Sequence, residues 1–176
     1  CYYSDDDGES WNESRVSVTL PQRGAMEPSV AETKDGLLGM AVRTQLGSVY
    51  ISRSEDRGET WSPAFASGLE ASEAPLAMSC FPDSDRLVLA YCAARYEPEH
   101  HHRGERTPLA VATSTDAGKS WSRIGDIAGG EPALGIEHPR GLLRQVPVAL
   151  HHLRSAHVHD AELPRSQFAA AVVNNA

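Results

Sequence analysis

An eight-residue turn pattern occurs three times in the chain, and it restricts the fold more than any other feature. Ser4–Trp11 reads SDDDGESW, Ser54–Trp61 reads SEDRGETW, and Ser114–Trp121 reads STDAGKSW. All three fit S-x-D-x-G-x-x-W, carried by Ser4, Asp6, Gly8 and Trp11, then Ser54, Asp56, Gly58 and Trp61, then Ser114, Asp116, Gly118 and Trp121. Each of the 3 tryptophans closes one copy, so no other part of the chain competes for them. Copies that begin at residues 4, 54 and 114 imply a repeated unit of the size found in propellers and solenoids. The chemistry of the octet is that of a turn. The Asp carboxylate accepts hydrogen bonds from nearby backbone N–H groups, the Gly supplies φ > 0, and the Trp folds an apolar ring back over the hairpin. A turn repeated in every unit serves the unit, so its carboxylates are structural and the chemistry has to be sought between the copies.

The segments between the octets read as short strands. Ser29–Thr33 and Leu37–Arg43 flank Lys34-Asp35-Gly36, and an Asp-Gly pair between apolar runs is a strong hairpin signal. Ser48–Ser54 then leads into the second octet, and the strand after it completes a four-stranded unit. The next unit repeats the plan, with strands at Ala74–Phe81 and Arg86–Ala94, a polar insertion at Tyr96–Glu105, and a strand at Thr107–Ser114 entering the third octet. Arg15–Leu20, with its β-branched alternation, reads as a further strand, and Ser122–Ile127 as the start of another. Cys80 and Cys92 flank the apolar run RLVLAY and are read as small core residues rather than a disulfide.

The octets resemble the Asp-box of sialidases and related β-propellers, where it lies between the last two strands of a blade. The expected fold is therefore all-β: about three blades of a six-bladed β-propeller with Asp-box turns, over residues 1–139. Three blades are fewer than the roughly 4–8 that close a ring, and Cys1 stands three residues before an octet, so the chain is expected to be a piece of a longer protein. After Pro139 the repeat signals stop. Residues 140–176 hold His151, His152, His157 and His159 and end AAAVVNNA, and are read as an aberrant tail that a reading-frame error near Pro139 would explain.

Between the first and second octets the likeness to the sialidase superfamily is closer. It runs Glu27-Pro28-Ser29-Val30, then the Asp35-Gly36 hairpin, then Arg43 at the end of the second strand. Arg106-Thr107-Pro108-Leu109 before the third octet matches a second pattern of that family. The resemblance implies that Arg43 and Arg106 bind the carboxylate of a sialic acid, and that Glu27 activates a tyrosine nucleophile. The residue types suit the task. A guanidinium fork matches a carboxylate in bidentate geometry. The substrate carboxylate repels a carboxylate nucleophile but not a neutral phenol, and a phenol with a pKa near 10 needs a base beside it. Sialidases are for this reason exceptions to the two-carboxylate rule of glycoside hydrolysis. The expected nucleophile position, in a Tyr-Pro context, is filled here by His138 within Glu137-His138-Pro139. The first arginine and the acid/base Asp of the family would precede Cys1.

Composition limits the partners. The chain has 24 acidic and 16 basic side chains and a formal charge of −8, which argues against recognition of nucleic-acid phosphates. No apolar run reaches the length of a membrane span. His100-His101-His102 lack a further ligand at a known spacing, so no metal and no cofactor is implied. The expected activity of the parent protein is retaining exo-α-sialidase action on terminal sialic acid of glycoconjugates, with secretion or a periplasmic location, and only half the site lies in this chain. Two rivals stand beside it. One is a non-catalytic Asp-box propeller that binds acidic sugars or a protein. The other is a two-carboxylate glycosidase acting on neutral polysaccharide, which has no use for paired arginines.

Overall fold

The computed structural model describes residues 1–82 and 84–128. Ten strands form three antiparallel sheets among them. Strands β1 (Tyr2–Tyr3) and β2 (Asn12–Glu13) pair across the first octet. Strands β3 (Met26–Glu32), β4 (Leu38–Arg43), β5 (Ser48–Ser54) and β6 (Phe65–Glu70) form a four-stranded meander in chain order. Strands β7 (Ala77–Cys80), β8 (Leu87–Cys92), β9 (Leu109–Ser114) and β10 (Ser122–Ala128) form a second meander of the same design. In both, the octet joins the third strand to the fourth. These are propeller blades, as the repeat implies.

The second strand of each blade is buried along its whole length, LGMAVR in β4 and LVLAYC in β8. A strand covered on both faces needs a continuous apolar run rather than alternation, which is the character of both segments. The main core fills the interface between the two blades, with Ala41, Val49 and Ile51 from one facing Met78, Leu87, Leu89 and Ala112 from the other. Gly39 permits the closest approach: a Cβ there would lie 3.2 Å from Leu87 Cδ1 and 3.4 Å from Met78 Cε. Ser29 Oγ accepts a hydrogen bond from the Met78 N–H at 2.9 Å, and the Lys34 N–H donates to the Ser84 carbonyl at 3.3 Å. Equivalent hairpin turns of the two blades therefore lie side by side, and the blades stack the same way up.

The three octets share one hydrogen-bond design. The Ser hydroxyl (Ser4, Ser54, Ser114) donates to the Asp at 2.7–2.8 Å and accepts the Gly N–H at 2.8 Å. The other side of the turn is held by Ser10, Thr60 and Ser120, whose hydroxyls donate to the second carboxylate oxygen at 2.6 Å. Their backbone N–H groups reach the first oxygen at 2.8–2.9 Å. These donors hold Asp6 and Asp56 down at about 2, the hydroxyls of Ser10 and Thr60 most of all. At Asp116 partial burial works the other way, yet Ser120 and Ser114 still bring it to about 2. The residue before each glycine, Asp7, Arg57 or Ala117, also has positive φ, at 56°, 57° and 55°.

Two expectations need correction. Arg15–Leu20 is not a strand: it runs as an irregular segment whose Val18 and Leu20 pack with Leu38, Met40 and Trp61. Its apolar alternation reflects this cover and not pairing. The tryptophans are not equally buried. Trp61 is 6% exposed beneath that cover, whereas Trp11 is 44% exposed, because it closes a two-stranded pair and its ring lies over Gly8 with no such lid. Trp121 is intermediate and donates its indole N–H to the Gly118 carbonyl. The hydroxyl of Ser14, within the sequence Asn12-Glu13-Ser14 that matches a glycosylation acceptor, is buried and donates to the Gly58 carbonyl at 2.6 Å. It ties the first sheet to the second octet.

Candidate functional site

Strand register separates the octets from the residues singled out for binding. Leu38 pairs with Ser54 at one end of its blade, while Val42 pairs with Tyr50 toward the other. In the next blade Leu87 pairs with Ser114, and Cys92 with Leu109. The octets therefore occupy one end of both blades. Arg43, and the loop that carries Arg106, occupy the opposite end.

Glu27 is brought to Arg43 by a distortion of the first strand. Met26 pairs with Arg43 and Ser29 with Ala41, so Glu27 and Pro28 together face the single residue Val42. Such a bulge bends the strand and re-aims a side chain, a device common beside functional sites. Glu27 adopts φ of 43°, a conformation that costs a non-glycine residue on the order of 1 kcal/mol or more and persists only where the surroundings impose it. Its carboxylate, 49% exposed, accepts a hydrogen bond from Arg43 Nη1 at 2.7 Å.

Arg43 is only 8% exposed, and its other nitrogen, Nη2, faces Glu73 Oε1 at 3.4 Å. Glu73 lies in the connection between the two blades and its side chain is 0% exposed. The same oxygen accepts Arg23 Nη1 at 3.0 Å, and Glu73 Oε2 accepts Gln45 Nε2 at 2.8 Å. Three donors on a fully buried carboxylate offset the loss of its hydration, and removal of one partner from such a group typically costs about 3–5 kcal/mol. Nothing in the local sequence of Glu73 marks it. Its neighbours, LEASEAPL, read as a polar connection, and its partners Arg23, Arg43 and Gln45 are all remote in sequence.

Arg106 shares the end of the blades with this cluster but not its contacts. Its Nη2 donates to the His102 carbonyl at 2.6 Å. Its charge bears on Cys92, whose thiol burial pushes up to about 11 against the pull of that guanidinium. Cys92 in turn accepts the Ser72 N–H at its carbonyl, next to Glu73 in the chain. Of the three residues expected to converge, Glu27 and Arg43 are in contact, and Arg106 stands one loop away. The position of the expected nucleophile, His138, lies outside the described residues, as do the boundary at residue 139 and the tail.

An open cleft of about 420 Å³ adjoins the cluster, lined by Gln22, Gln45, Arg95 and Tyr96 among others. The phenol of Tyr96 has its pKa raised by burial and then by the charges of Glu73 and Glu99. The histidine run sits on the exposed 3-10 turn His101–Arg103, with His100 Nδ1 2.7 Å from Glu97. That contact raises the His100 pKa. Among the described residues no three metal-ligating side chains gather, and no helix is long and apolar enough to cross a membrane.

Comparison with known proteins gives the architecture a lineage. The NanB sialidase of Streptococcus pneumoniae superposes with a TM-score of 0.52 and 22% identity, over 64% of this chain and 17% of that one. A leech intramolecular trans-sialidase gives 0.53 and 22%, over 69% and 19%. A protein of unknown function from Dyadobacter fermentans gives 0.50 and 26%, over 70% and 32%. The chain thus spans less than a fifth of the first two, and the likeness to them is one of fold. No curated protein matches the sequence. The family model of the BNR repeat-like domain matches residues 1–162, and with octets, blades and neighbours in agreement the chain belongs to that family, within the sialidase/BNR-repeat superfamily.

Proposed function

We propose that this chain supplies part of the active site of a retaining exo-α-sialidase, with Arg43 and Arg106 receiving the carboxylate of a terminal sialic acid and Glu27 serving as the base. The observation that carries this reading is the contact of Glu27 with Arg43 at the bulged start of β3. An exposed carboxylate already occupies the accessible nitrogen of a buried guanidinium, so that nitrogen is a carboxylate seat by construction. A ligand carboxylate that enters the seat displaces Glu27, which is then free to accept the proton of a phenol nucleophile. Exchange of one carboxylate for another keeps the charge on Arg43 compensated throughout. The fold neighbours support the reading, since two of them are named as a sialidase and an intramolecular trans-sialidase.

The test is steady-state kinetics of the full-length protein on an aryl α-sialoside. Arg43→Lys keeps the charge and loses the fork, and should weaken transition-state binding by about 1–3 kcal/mol. Glu27→Gln should lower kcat, because it removes the base, and should lower KM as well, because the ligand no longer displaces a carboxylate from the seat. His138→Tyr should raise turnover if that position holds the nucleophile. Unchanged kinetics in the first two variants would remove the assignment.

One observation favours a second reading, a propeller that binds acidic sugars without cleaving them. Arg106 Nη2 is held by the His102 carbonyl. Sialic acid binding that is sensitive to Arg43→Lys, with no release of the aryl group by the wild type, would decide for this second reading.

A further inference from the structure

We propose that Glu73 is the positioning residue of the carboxylate seat: it fixes one edge of Arg43 so that the other edge stays open to exchange between Glu27 and a ligand. The inference rests on the assignment of Arg43 above and goes beyond it to a residue that touches no ligand. Arg43 has two carboxylate partners of opposite character. Glu73 is fully buried and held from three sides by Arg43, Arg23 and Gln45, so it has no other conformation in which its hydrogen bonds are kept. Glu27 is half-exposed and held by the single 2.7 Å contact to Arg43 Nη1. The first partner is permanent and the second exchangeable.

This division has a consequence for the sign of a mutation. Loss of the Glu73 charge raises the positive potential at Arg43, which by itself attracts a carboxylate. It also frees Nη2. Glu27 has a second oxygen beside Nη1, and a guanidinium fork with two free donors is best satisfied by a bidentate carboxylate. Glu27 then closes the fork on itself and competes with the ligand from within the chain, where its effective concentration exceeds that of any dissolved sugar. The internal competitor outweighs the gain in potential, because the surface end of the seat is screened by water and the fork is not. Arg23 loses its charged partner in the same step.

The experiment compares binding of sialic acid with that of its methyl ester in the full-length protein, for the wild type and Glu73→Gln. The glutamine is isosteric but neutral, so Arg43 and Arg23 are left with an uncharged acceptor, and its thermal midpoint verifies the fold. The ratio of the two affinities isolates the carboxylate contact from general packing. The expected result is a wild-type preference for the acid that falls roughly tenfold in Glu73→Gln, the scale of one charged hydrogen bond. Glu27→Gln combined with Glu73→Gln should recover most of the preference, since the competitor is then neutral. A ratio that is unchanged in Glu73→Gln, with both affinities lowered equally, shows a purely structural role and overturns the proposal. A ratio that rises shows that Glu73 merely neutralises charge and also overturns it. If the wild type itself fails to prefer the acid, the assignment of Arg43 fails first, and this inference fails with it. Where Glu73→Gln does not fold, Glu73→Asp keeps the charge but shortens its reach to Nη2, and should lower the ratio in the same direction.

Discussion

Glu27 and the residues around the octet glycines share one physical property, a left-handed backbone at side chains that resist it. Positive φ at Asp7, Arg57 and Ala117 is followed each time by the glycine, at 89°, 93° and 86°. Two consecutive left-handed residues turn the chain back within the octet, and the glycine takes the larger excursion. At Gly58 the backbone is the constraint, since a Cβ there would only make ordinary contact with Tyr3 at 3.5 Å and Leu38 at 3.7 Å. Gly58→Val should therefore destabilise the protein by about 1–3 kcal/mol, from backbone strain with little added crowding. Urea unfolding of the variant measures this. A loss below half a kcal/mol would show that the turn tolerates a β-branched residue after all. At Glu27 no glycine relieves the strain, and the compensation is the ion pair with Arg43 that the bulge makes reachable.

The octet as an element carries a pH dependence. Its three aspartates are held at about 2, below the ordinary 3.8, by the hydroxyls and N–H groups that close the turn. A carboxylate whose folded pKa is depressed adds stability that is complete above the unfolded value and disappears as pH falls through the folded one. The window is thus from about 4 down to about 2. Replacement of Asp56 by Asn keeps one accepting oxygen and removes the ionisation. The stability gap between the wild type and Asp56→Asn should be largest at neutral pH and should close across that window. A gap that stays constant down to pH 2 would mean that Asp56 acts through shape alone. Such a test suits Asp56 better than Asp6, because the second octet also docks on the first sheet through Ser14 and Arg15.

At the scale of the molecule, stability resides in the contact between blades. The core fills the seam between the two four-stranded sheets, and Gly39 sets their spacing. Gly39→Val puts branched atoms where Leu87 and Met78 already lie, and overpacking of this kind costs about 1–3 kcal/mol. Its effect should reach the site, because Glu73 lies in the connection that joins the two blades. Loss of stability together with weaker carboxylate binding is the expected outcome, measured by thermal unfolding and by titration with sialic acid. Lower stability with binding intact would show that the seam and the seat are independent.

Much of this was readable from residues alone, for a local reason. The octets, the Asp35-Gly36 hairpin and the strand Ser48–Ser54 depend on turn chemistry and on periodicity within a few residues, and these survive without tertiary context. The hydroxyls of Ser10, Thr60 and Ser120 were equally local, since all three copies carry Ser or Thr before the Trp. Other features had no local cause. Phe65–Glu70 has no β-branched alternation and contains Gly68, yet it pairs because β5 offers it an edge. Arg15–Leu20 has the alternation of a strand and serves as a lid for Trp61, because its apolar side chains find a face to cover before they find a partner strand. Arg43 and Glu27 were each legible through the likeness of their segment to the sialidase superfamily, although their contact with one another was not. Glu73 was not, because its three partners meet it only when the connection after β6 folds back over Arg23, Arg43 and Gln45, and burial is a property of the assembled surface that no short stretch of sequence contains.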